Sequence, residues 1–438
     1  MLSQTEIIAA MQYARFHASD PLNTTDSAPI TISYQYAGNA APADLPTSAE
    51  YSGWRRFTQA EKADFEAALA HIESFLNVDF VQTFGNSDPD LNVAAISLPG
   101  SVIGHGGYSV RYQGSSILEW DGFVAYDTDL DLSSDRQFDL LLHELGHAMG
   151  LRHTHEADAT LPAEFDSNLY SVMSYRANPV NGQDSAAMML FDVLALQDIW
   201  GAAPHNEGTS SYTGSRTSTV DSIWDSGGTD VLDANGRRAG VTLDLRQGAF
   251  SSFDADQDVV VTFGTEIENA FGARGADLVI GNDLNNLLRG HANHDVLAGK
   301  AGRDRIEGGA GRDTLWGDEG VDLLFGGRGR DQLYGGSEND QLTGRNGADR
   351  LDGQAGDDVL VGGRGEDTFV FKHQGGNDTV EDFNTDADRL DIIGHGSLDA
   401  LLDQARDTDN GVVFDFDQGG SLLLRDVTLA GLGADFLI

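Results

Sequence analysis

Three histidines and one glutamate in the first half of the chain have the types and spacing that a catalytic metal site needs. His143, Glu144 and His147 fall within five residues, and His153 follows six residues later. On a helix, residues four apart share a face, so His143 and His147 can bind one ion with Glu144 beside them. Gly150 can adopt the positive backbone angles that end a helix, and the resulting turn lets His153 supply a third nitrogen.

This set of groups predicts zinc chemistry. Three protein ligands leave one position of a zinc ion open for water, whose pKa zinc lowers to about 7. Glu144 would take a proton from that water and later deliver it to the leaving amine. For the five-residue core alone, a surface helix that carries two histidines by chance is the alternative. The added Gly150 and His153 make this alternative much less favourable.

A second motif, Tyr-Ser-Val-Met-Ser-Tyr, lies downstream at residues 170–175. Together the two motifs resemble those of the metzincin metalloproteases, in which a methionine-bearing turn lies beneath the zinc. The resemblance makes Met173 that apolar floor. Within the serralysin branch it gives Tyr175 the role of approaching the zinc and stabilising the oxyanion during peptide cleavage. Without the resemblance, each would be interpreted as an ordinary residue at the edge of a core.

Length and composition predict several domains and a strongly acidic surface. The 438 residues exceed what one core usually supports. The sequence has no cysteine, so neither disulfides nor thiolate metal sites contribute. Lys and Arg total 27 against 70 Asp and Glu, for a net charge of −43. This charge disfavours nucleic acid and anionic membranes as partners and favours cation binding or a highly solvated surface.

The acidic charge follows a nine-residue repeat that extends over residues 272–370. Each of its eleven blocks starts with glycine, and the sixth place is Asp in ten blocks and Asn286 in the other. The eighth place is apolar in every block, which a flexible acidic linker would have no reason to maintain. These apolar residues are Val279, Leu288, Leu297, Ile306, Leu315, Leu324, Leu333, Leu342, Leu351, Leu360 and Phe369.

The block predicts an all-β domain, a parallel β-roll. Glycines permit tight turns, the segment around each apolar residue forms a strand, and two blocks make one coil around the apolar ladder. Carboxylates stacked at the turns would repel one another, so we expect hard divalent cations between them. The pattern is that of the calcium-binding nonapeptide repeat of RTX proteins.

The resemblance to these repeats implies that each calcium lies between blocks eighteen residues apart. The implied ligands of one site are the carbonyls of Gly309, Gly311, Gly326 and Arg328 with the side chains of Asp313 and Asp331. Those of the next are the carbonyls of Asp318, Gly320, Gly335 and Ser337 with the side chains of Asp322 and Asp340. The other sixth-place candidates are Asp295, Asp304, Asp349, Asp358 and Asp367.

Departures from the block indicate weaker sites. The fourth-place glycine is replaced at Leu284, Asn293 and Glu338. The second place carries His291, Lys300, Arg345 and Gln354, where a side chain costs more in a left-handed turn. We therefore expect firm sites in the middle of the roll and weak ones around Asn286.

Two segments before the repeats also resemble calcium-binding segments of serralysins near the domain junction. Their candidate ligands are Asp225, Gly227, Gly228, Asp230, Glu266 and Glu268. Both segments are short and rich in turn residues, so ordinary turns are the alternative.

The elements that position the histidines are predicted to be those of an α/β (α+β) domain. Residues 30–34 alternate as a strand, residues 58–76 have helical periodicity with Thr58 as the cap, and residues 92–98 indicate another strand. Phe138, Leu141, Leu142 and Leu145 give the histidine helix an apolar face, and residues 188–200 predict a further helix. His105 is expected in a loop near the cleft.

The expected domain organisation places the metzincin catalytic domain before the roll. Residues 1–29, which show no strong pattern, form an N-terminal extension or a short removable prosegment. Residues 30–205 form the zinc metalloprotease domain, and residues 206–271 form a junction and the start of the β domain. The roll occupies residues 272–370, and residues 371–438 form a C-terminal β cap with a secretion signal.

Localisation depends on the two ends of the chain and on the repeats. The first residues lack the basic and apolar segments of a signal peptide, and no apolar run is long enough to span a bilayer. Residues 435–438, Asp-Phe-Leu-Ile, resemble the C-terminal export signal of proteins that leave by a type I route, although a terminal strand would look the same. Extracellular calcium suits sites of modest affinity, so the protein is expected outside the cell.

The resemblance to serralysins extends over residues 30–438 and implies a secreted, calcium-stabilised zinc endopeptidase with one Zn²⁺ and several Ca²⁺. The implied partners are protein or peptide substrates, the type I secretion machinery and a proteinaceous inhibitor. We expect a monomer with no nucleic-acid partner and no stable membrane insertion. The rival interpretation is a non-catalytic, calcium-dependent binding or adhesion protein with a silent protease domain, which the four intact site residues disfavour.

One departure from the serralysin pattern lies beside the third histidine. Serralysins usually have proline after it, whereas this chain has Thr154 followed by His155. We expect His155 to face solvent rather than compete for the metal, because three ligands suffice for catalytic zinc.

Overall fold

The computed structural model describes residues 2–39, 41–42, 51–85, 88–134, 137–156, 161–180, 182, 185, 187–214, 220–372, 375–394, 401–416, 419–432 and 436–437. The contacts divide the chain into two compact units. The first unit comprises Met1–Glu207, Ser215–Gly227 and Asp256–Thr265, and the second comprises Gly208–Gly214, Gly228–Ala255 and Glu266–Ile438. None of the described helices is both long and apolar enough to cross a membrane.

The helices, in chain order, are α1 (Gln4–Met11), α2 (Ala14–His17), α3 (Gln59–Glu73), α4 (Phe138–Met149) and α5 (Leu190–Trp200), with a short 3₁₀ helix at Leu429–Gly431. The strands before the repeats are β1 (Ile30–Tyr36), β2 (Ser52–Arg55), β3 (Val78–Gln82), β4 (Leu91–Ser97), β5 (Gly104–Gln113), β6 (Ser116–Asp127), β7 (Ser211–Tyr212), β8 (Asp221–Ile223), β9 (Val231–Asp233), β10 (Thr242–Asp244), β11 (Phe250–Ser251), β12 (Val259–Val261) and β13 (Asn269–Phe271).

The strands from the repeats onward are β14 (Leu278–Ile280), β15 (Leu287–Ala292), β16 (Val296–Ala301), β17 (Arg305–Gly311), β18 (Thr314–Glu319), β19 (Leu323–Gly329), β20 (Gln332–Ser337), β21 (Gln341–Asn346), β22 (Arg350–Ala355), β23 (Val359–Arg364), β24 (Thr368–Lys372), β25 (Asn377–Val380), β26 (Arg389–Ile393), β27 (Ala405–Thr408), β28 (Gly411–Asp415) and β29 (Ser421–Arg425).

The first unit contains a mixed sheet in the order β3-β1-β4-β6-β5, with β2 beside β4. β1, β3, β4 and β6 run parallel, and β5 runs antiparallel to β6 at one edge of the described sheet. The strands expected near residues 30–34 and 92–98 are therefore confirmed as β1 and β4. The predicted cap is also confirmed, because Thr58 and Glu61 bond to each other's backbone N–H at the start of α3.

Aromatic side chains of the first unit hold α4 along its length. The Tyr126 hydroxyl donates to the Leu141 carbonyl at 3.2 Å, near the start of the helix. At its end, the indole N–H of Trp120 donates to the Ala148 carbonyl and that of Trp200 to the Met149 carbonyl, at 3.0 and 2.9 Å. Because the last carbonyls of a helix lack partners within it, these bonds fix where α4 ends.

Residues 1–29, which had no strong sequence pattern, contain α1 and α2. Ile7 and Met11 of α1 are fully buried. The Arg152 side chain donates to the carbonyls of Ala9 and Ala10 at 2.8 and 3.0 Å. These bonds join the end of α1 to the residue that precedes His153, so α1 belongs to the packing of the first unit. The role of this segment as an N-terminal extension or a removable prosegment stays a prediction.

The second unit is dominated by two sheets of parallel strands whose partners lie eighteen residues apart. β14, β16, β18, β20 and β22 follow one another in one sheet, and β15, β17, β19, β21 and β23 do so in the other. Leu297 lies opposite Leu315, and Leu288 lies opposite Ile306. All eleven eighth-place side chains are fully buried. The predicted all-β roll, with two blocks per coil and an apolar ladder as its core, is thus confirmed.

The apolar ladder predicts that two leucines of the same roll contribute very different amounts to the free energy of unfolding. Replacing Leu333, which is fully buried, by alanine should lower the free energy of unfolding by about 2–5 kcal/mol, because a cavity replaces its contacts. Leu278, which is 38% exposed, is the matched control and should lose well under half of that amount. Denaturant unfolding of both full-length variants in calcium measures the difference, and equal losses would contradict the ladder.

Candidate metal centre

α4 and the turn after it bring the three histidines together. His143 and His147 lie one turn apart on α4, with ring centroids 4.9 Å apart. Gly150 ends the helix at φ 116°, as expected, and an alanine Cβ there would lie within 2.9 Å of Phe16 and Ile199. Only glycine suits this backbone and this close packing, so the chain can turn and present His153 to the other two rings.

The Nε2 atoms of the three rings converge on one region. His153 Nε2 lies 3.0 Å from His147 Nε2 and 3.3 Å from His143 Nε2. Among the described residues, these three form the one group of histidines and carboxylates whose ligand atoms lie close enough together for a metal ion. Their role as zinc ligands stays a prediction.

Each ring has an oxygen acceptor behind it that fixes its tautomer. Nδ1 of His143 faces the Val172 carbonyl at 2.7 Å, and Nδ1 of His147 faces the Leu151 carbonyl at 2.9 Å. Because a carbonyl only accepts hydrogen bonds, Nδ1 carries the proton and Nε2 carries the lone pair. Nδ1 of His153 similarly faces the Glu156 carboxylate at 2.9 Å.

Burial keeps these imidazoles neutral. It lowers the pKa of His143 to about 4 and that of His147 to about 3, and it also lowers the pKa of His153. At neutral pH the three rings therefore offer nitrogen lone pairs toward one point, which is the form in which histidine binds metals.

Glu144 lies against the edge strand β5. It is 5% exposed, and an alanine Cβ at Gly104 would lie 2.3 Å from its Oε1. Burial raises the pKa of Glu144 to about 7, and a hydrogen bond from the Gly106 backbone acts in the opposite direction. A carboxyl group with a pKa near neutrality is suited to exchange protons. The glycines at 104, 106 and 107 are a sequence signal of close backbone approach that the sequence analysis did not use.

Met173 and Tyr175 make different contacts near the histidines. Met173 is fully buried, and an alanine Cβ at Gly146 would lie 2.7 Å from its sulfur, so the methionine packs directly under α4. Tyr175 is 69% exposed, and its hydroxyl lies 2.6 Å from His153 Nε2. Its ring stacks on His143 with centroids 5.7 Å apart.

A carboxylate that no sequence motif indicates holds the turn around Met173. Asp192, at the start of α5, is fully buried and accepts hydrogen bonds from the Ser171 hydroxyl at 2.6 Å and the Val172 N–H at 2.8 Å. Val172 in turn offers its carbonyl to His143. Burial raises the pKa of Asp192 to about 6. Asp192 lies 21 residues from Ser171, so no local pattern could have joined the two residues.

A cleft of about 540 Å³ opens beside these groups and is lined by residues that include Gly104, His143, Glu144 and Tyr175. The expectation of a loop at His105 is wrong, because this residue pairs with Ala125 inside β5 despite its glycine neighbours. His155 is exposed and stacks on His153 with centroids 5.3 Å apart, so its expected solvent-facing position is confirmed.

In the second unit, nine of the ten sixth-place aspartates use only one carboxylate oxygen; the exception is Asp277. In each of the nine, Oδ1 accepts the backbone N–H of the residue eighteen positions earlier, as Asp331 does from Asp313 at 2.9 Å. In the described part of the chain, the buried Oδ2 atoms of nine of these aspartates have no hydrogen-bond partner. The nine are Asp295, Asp304, Asp313, Asp322, Asp331, Asp340, Asp349, Asp358 and Asp367.

Backbone carbonyl oxygens lie near the partnerless Oδ2 atoms of these aspartates. An alanine Cβ at Gly308 would lie 2.7 Å from both Asp313 Oδ2 and the Gly326 carbonyl. A Cβ at Gly317 would likewise meet Asp322 Oδ2 and the Gly335 carbonyl, at 2.3 and 2.4 Å. The structure thus brings together parts of both predicted ligand sets. The other predicted carbonyl ligands, those of Gly309, Gly311, Asp318, Gly320, Arg328 and Ser337, stay predictions.

The ladder of partnerless oxygens stops at both ends of the roll. Both oxygens of Asp277 accept backbone N–H groups, from Val241 and Ala273 at 2.8 and 2.7 Å. Asn286 accepts the Asn282 N–H and donates its amide to the Glu268 carbonyl. Asp388 likewise accepts from the backbones of Asp367 and Asn384. At these three positions, both polar atoms of the side chain form hydrogen bonds with the protein.

The junction candidates fall in both units. Asp225 and Gly227 belong to the first unit, where the Asp225 N–H donates to the Thr265 hydroxyl at 3.1 Å. Gly228, Asp230, Glu266 and Glu268 belong to the second, where Glu268 accepts the Asp230 N–H at 2.7 Å. Their calcium-binding role stays a prediction.

Most departures from the glycine pattern do adopt the left-handed backbone. φ lies between 71° and 88° at His291, Asn293, Lys300, Glu338, Arg345 and Gln354. Leu284 is not among the residues with positive φ. Asp318, also at a second place, has φ 73° and an ion pair with Lys300 at 2.9 Å, which the nine-residue block does not indicate.

Comparison with known proteins points to one family. Residues 205–422 match the family described as "Peptidase M10 serralysin C terminal". The chain is 29% identical to the metallopeptidase AprA of Pseudomonas marginalis over 59% of this chain and 62% of that protein. It is 28% identical to a serralysin of Photorhabdus luminescens over 57% of each chain. A serralysin of Proteus mirabilis is 33% identical over 34% of this chain and 36% of its own length.

The matches leave part of these relatives uncovered. The chain spans about three fifths of the length of the first two relatives. Among solved structures, the extracellular lipase LipA from Serratia marcescens aligns over 37% of this chain and 40% of its own, with 20% identity and a TM-score of 0.20. A TM-score this low does not support any structural conclusion.

The approach of β5 to Glu144 predicts that Gly106 tolerates no side chain. An alanine Cβ there would lie 2.1 Å from the Glu144 carbonyl oxygen, so one backbone must move. We expect Gly106→Ala to lower the free energy of unfolding by about 1–3 kcal/mol. Gly38→Ala is the control, because nothing lies within 4 Å of its added Cβ. Thermal unfolding measures both, and a Gly106→Ala variant as stable as the control would refute the close approach.

Proposed function

Because the chain belongs to the serralysin family of metallopeptidases, we propose that it is a secreted zinc endopeptidase stabilised by calcium. The observation that supports the zinc site most directly is the convergence of three lone-pair-bearing Nε2 atoms, with His153 Nε2 3.0 and 3.3 Å from the other two. Lone pairs this close repel one another unless a cation lies between them. Three neutral imidazoles beside an open cleft suit catalytic zinc, with His143, His147 and His153 as ligands.

Zinc bound there would supply a Lewis acid that lowers the pKa of water to about 7. Glu144, which lines the cleft beside His143, accepts the proton of the attacking water and later donates it to the leaving amine. The Tyr175 hydroxyl, already 2.6 Å from His153 Nε2, donates a hydrogen bond to the substrate carbonyl oxygen as negative charge develops on it.

The substrate is an extended segment of a protein. β5 lies at the edge of the described sheet and reaches the cleft at Gly104, so its outer backbone groups can pair with a peptide as an added strand. Gly104 and Gly106 of β5 carry no side chains, so β5 can approach Glu144 closely. The substrate class we propose is extracellular protein, cut within the chain.

The role of Glu144 as the base predicts a loss of turnover without a loss of metal. Glu144→Gln should lower kcat on a denatured protein substrate by about 10²- to 10⁴-fold, because the amide cannot accept the proton. Glu119→Gln, at an exposed carboxylate of the same unit, is the control and should retain full activity. Zinc content is quantified in all three proteins.

Full activity of Glu144→Gln would disprove this mechanism. A wild-type protein that binds zinc but cleaves nothing would instead favour the non-catalytic binding protein with a silent protease domain.

The proposed calcium sites rest on the nine partnerless Oδ2 atoms. Buried carboxylates without partners are costly, and burial raises the pKa of Asp313 to about 7 and that of Asp340 to about 8. Calcium, which binds carboxylate and carbonyl oxygens, would satisfy them. The proposed series of calcium sites extends from Asp295 to Asp367. It excludes Asp277, Asn286 and Asp388, whose side-chain polar atoms have hydrogen-bond partners in the protein.

The dependence of roll folding on calcium should change only when one of the nine aspartates with a partnerless Oδ2 is replaced. Asp331→Asn removes one negative ligand, so we expect the calcium concentration at the midpoint of roll folding to rise roughly tenfold. Asp318→Asn is the control, because that carboxylate faces Lys300. Circular dichroism during calcium titration measures the midpoints, and complete removal of calcium should abolish the roll's β signal. Identical midpoints for both variants and wild type would contradict the proposed series of calcium sites.

The proposed location is outside the cell, where calcium is plentiful, after export by the type I secretion machinery. The support is the proposed series of calcium sites together with the family. In the C-terminal motif, Asp435 and Ile438 lie outside the described residues, whereas Phe436 is buried and its carbonyl accepts the Leu390 N–H at 2.6 Å. A proteinaceous inhibitor and a monomeric state stay predictions.

A further inference from the structure

The threonine that follows the third histidine is completely buried. Its hydroxyl donates to Asp166 Oδ1 at 2.5 Å, across a separation of twelve residues. Proline, which serralysins usually have at this position, has no hydroxyl to make such a bond. The residue that departs from the family pattern is therefore part of a specific buried contact.

Asp166 also binds the residues on both sides of Tyr175. It accepts a hydrogen bond from the Ser174 hydroxyl at 2.8 Å and forms an ion pair with Arg176 Nε at 3.2 Å. Burial acts to raise the pKa of Asp166, but hydrogen bonds from Thr154 and Ser174, with the charge of Arg176, hold it below its usual value. The ionised carboxylate thus joins the chain after His153 to the chain around Tyr175.

Tyr175 itself has few neighbours that would hold its ring. The ring is 69% exposed, and its described neighbours are the rings of His143, His153 and His155, with centroids between 4.7 and 5.7 Å away. Its position over the site must therefore be set largely by its backbone, which Asp166 restrains on both sides. The Arg176 carbonyl, which accepts the Asn168 N–H at 2.8 Å, adds to this restraint.

We propose that Thr154 and Asp166 are positioning residues that hold Tyr175 at its working distance from His153. The proposal rests on the proposed function, in which the Tyr175 hydroxyl stabilises the oxyanion. Substituting valine at Thr154 preserves shape but removes one donor from the buried carboxylate, so the two chain segments can separate. A small misplacement of a group that acts in the transition state lowers kcat more than it changes KM.

A double-mutant cycle tests whether Thr154 acts through Tyr175. Thr154→Val should lower kcat about tenfold with KM within about twofold, and Thr154→Ser, which restores the hydroxyl, should recover most of the loss. In a Tyr175→Phe background, the same valine substitution should lower kcat less than about twofold, because there is no hydroxyl left to position. Equal losses in both backgrounds would overturn the proposal.

A general loss of stability is excluded by a matched control. Thr262 is also fully buried in the first unit, and its hydroxyl donates to the Ile223 carbonyl at 2.7 Å. Thr262→Val should leave kcat unchanged although it also removes a buried hydrogen bond. A kcat as low as that of Thr154→Val would show that the effect is not local, and would overturn the proposal.

A measurement that needs no peptidase activity separates this proposal from the proposed function. Copper(II) replaces zinc in the full-length protein, and phenolate bound to copper(II) gives a charge-transfer absorption band that reports the approach of Tyr175. We expect the band in wild type and in Thr262→Val, and a clearly weaker band in Thr154→Val at equal copper content. A band of unchanged intensity in Thr154→Val, or no band in wild type, would overturn the positioning role even if the protein is an active peptidase.

Discussion

Hydrogen bonds on the far side of each imidazole determine where the Nε2 atoms of the three histidines in the first unit point. The Val172 and Leu151 carbonyls and the Glu156 carboxylate each accept a hydrogen bond from an Nδ1–H, so three Nε2 lone pairs face one another. Two of these acceptors depend on other constraints. Leu151 follows the Gly150 turn, and Val172 is held by the buried Asp192 carboxylate. The arrangement of α4, α5 and the turn at Met173 serves this orientation.

The second unit follows the same principle with oxygen in place of nitrogen. Nine of the ten sixth-place aspartates use Oδ1 to accept a backbone N–H from the preceding coil, and that bond directs Oδ2 to a buried point that has no protein donor. Where a protein donor is present, as for Asp277 and Asp388, the pattern ends. In both units, therefore, a hydrogen bond to one polar atom of a side chain directs its other polar atom toward neighbouring ligand atoms, which is the arrangement expected of structures completed by cations.

Features with a local period were predictable from the sequence. The spacing of His143, His147 and His153 predicted their convergence, and the nine-residue block predicted the strands, the turns and the apolar ladder. Contacts between distant segments were not predictable. Asp192 reaches Ser171 across 21 residues, and Arg152 reaches the end of α1 across more than 140. His105 shows the opposite error, because its glycine neighbours indicate a loop while the pairing with β6 makes a strand.

Zinc binding by the three histidines is tested most directly in crystals of the protein grown with calcium. Diffraction data are collected just above and just below the zinc absorption edge. If the three histidines bind zinc, one anomalous peak is present only above the edge, about 2.0–2.1 Å from the Nε2 atoms of His143, His147 and His153. An edge-dependent peak elsewhere, or none at these histidines in protein purified without chelator, would contradict this prediction.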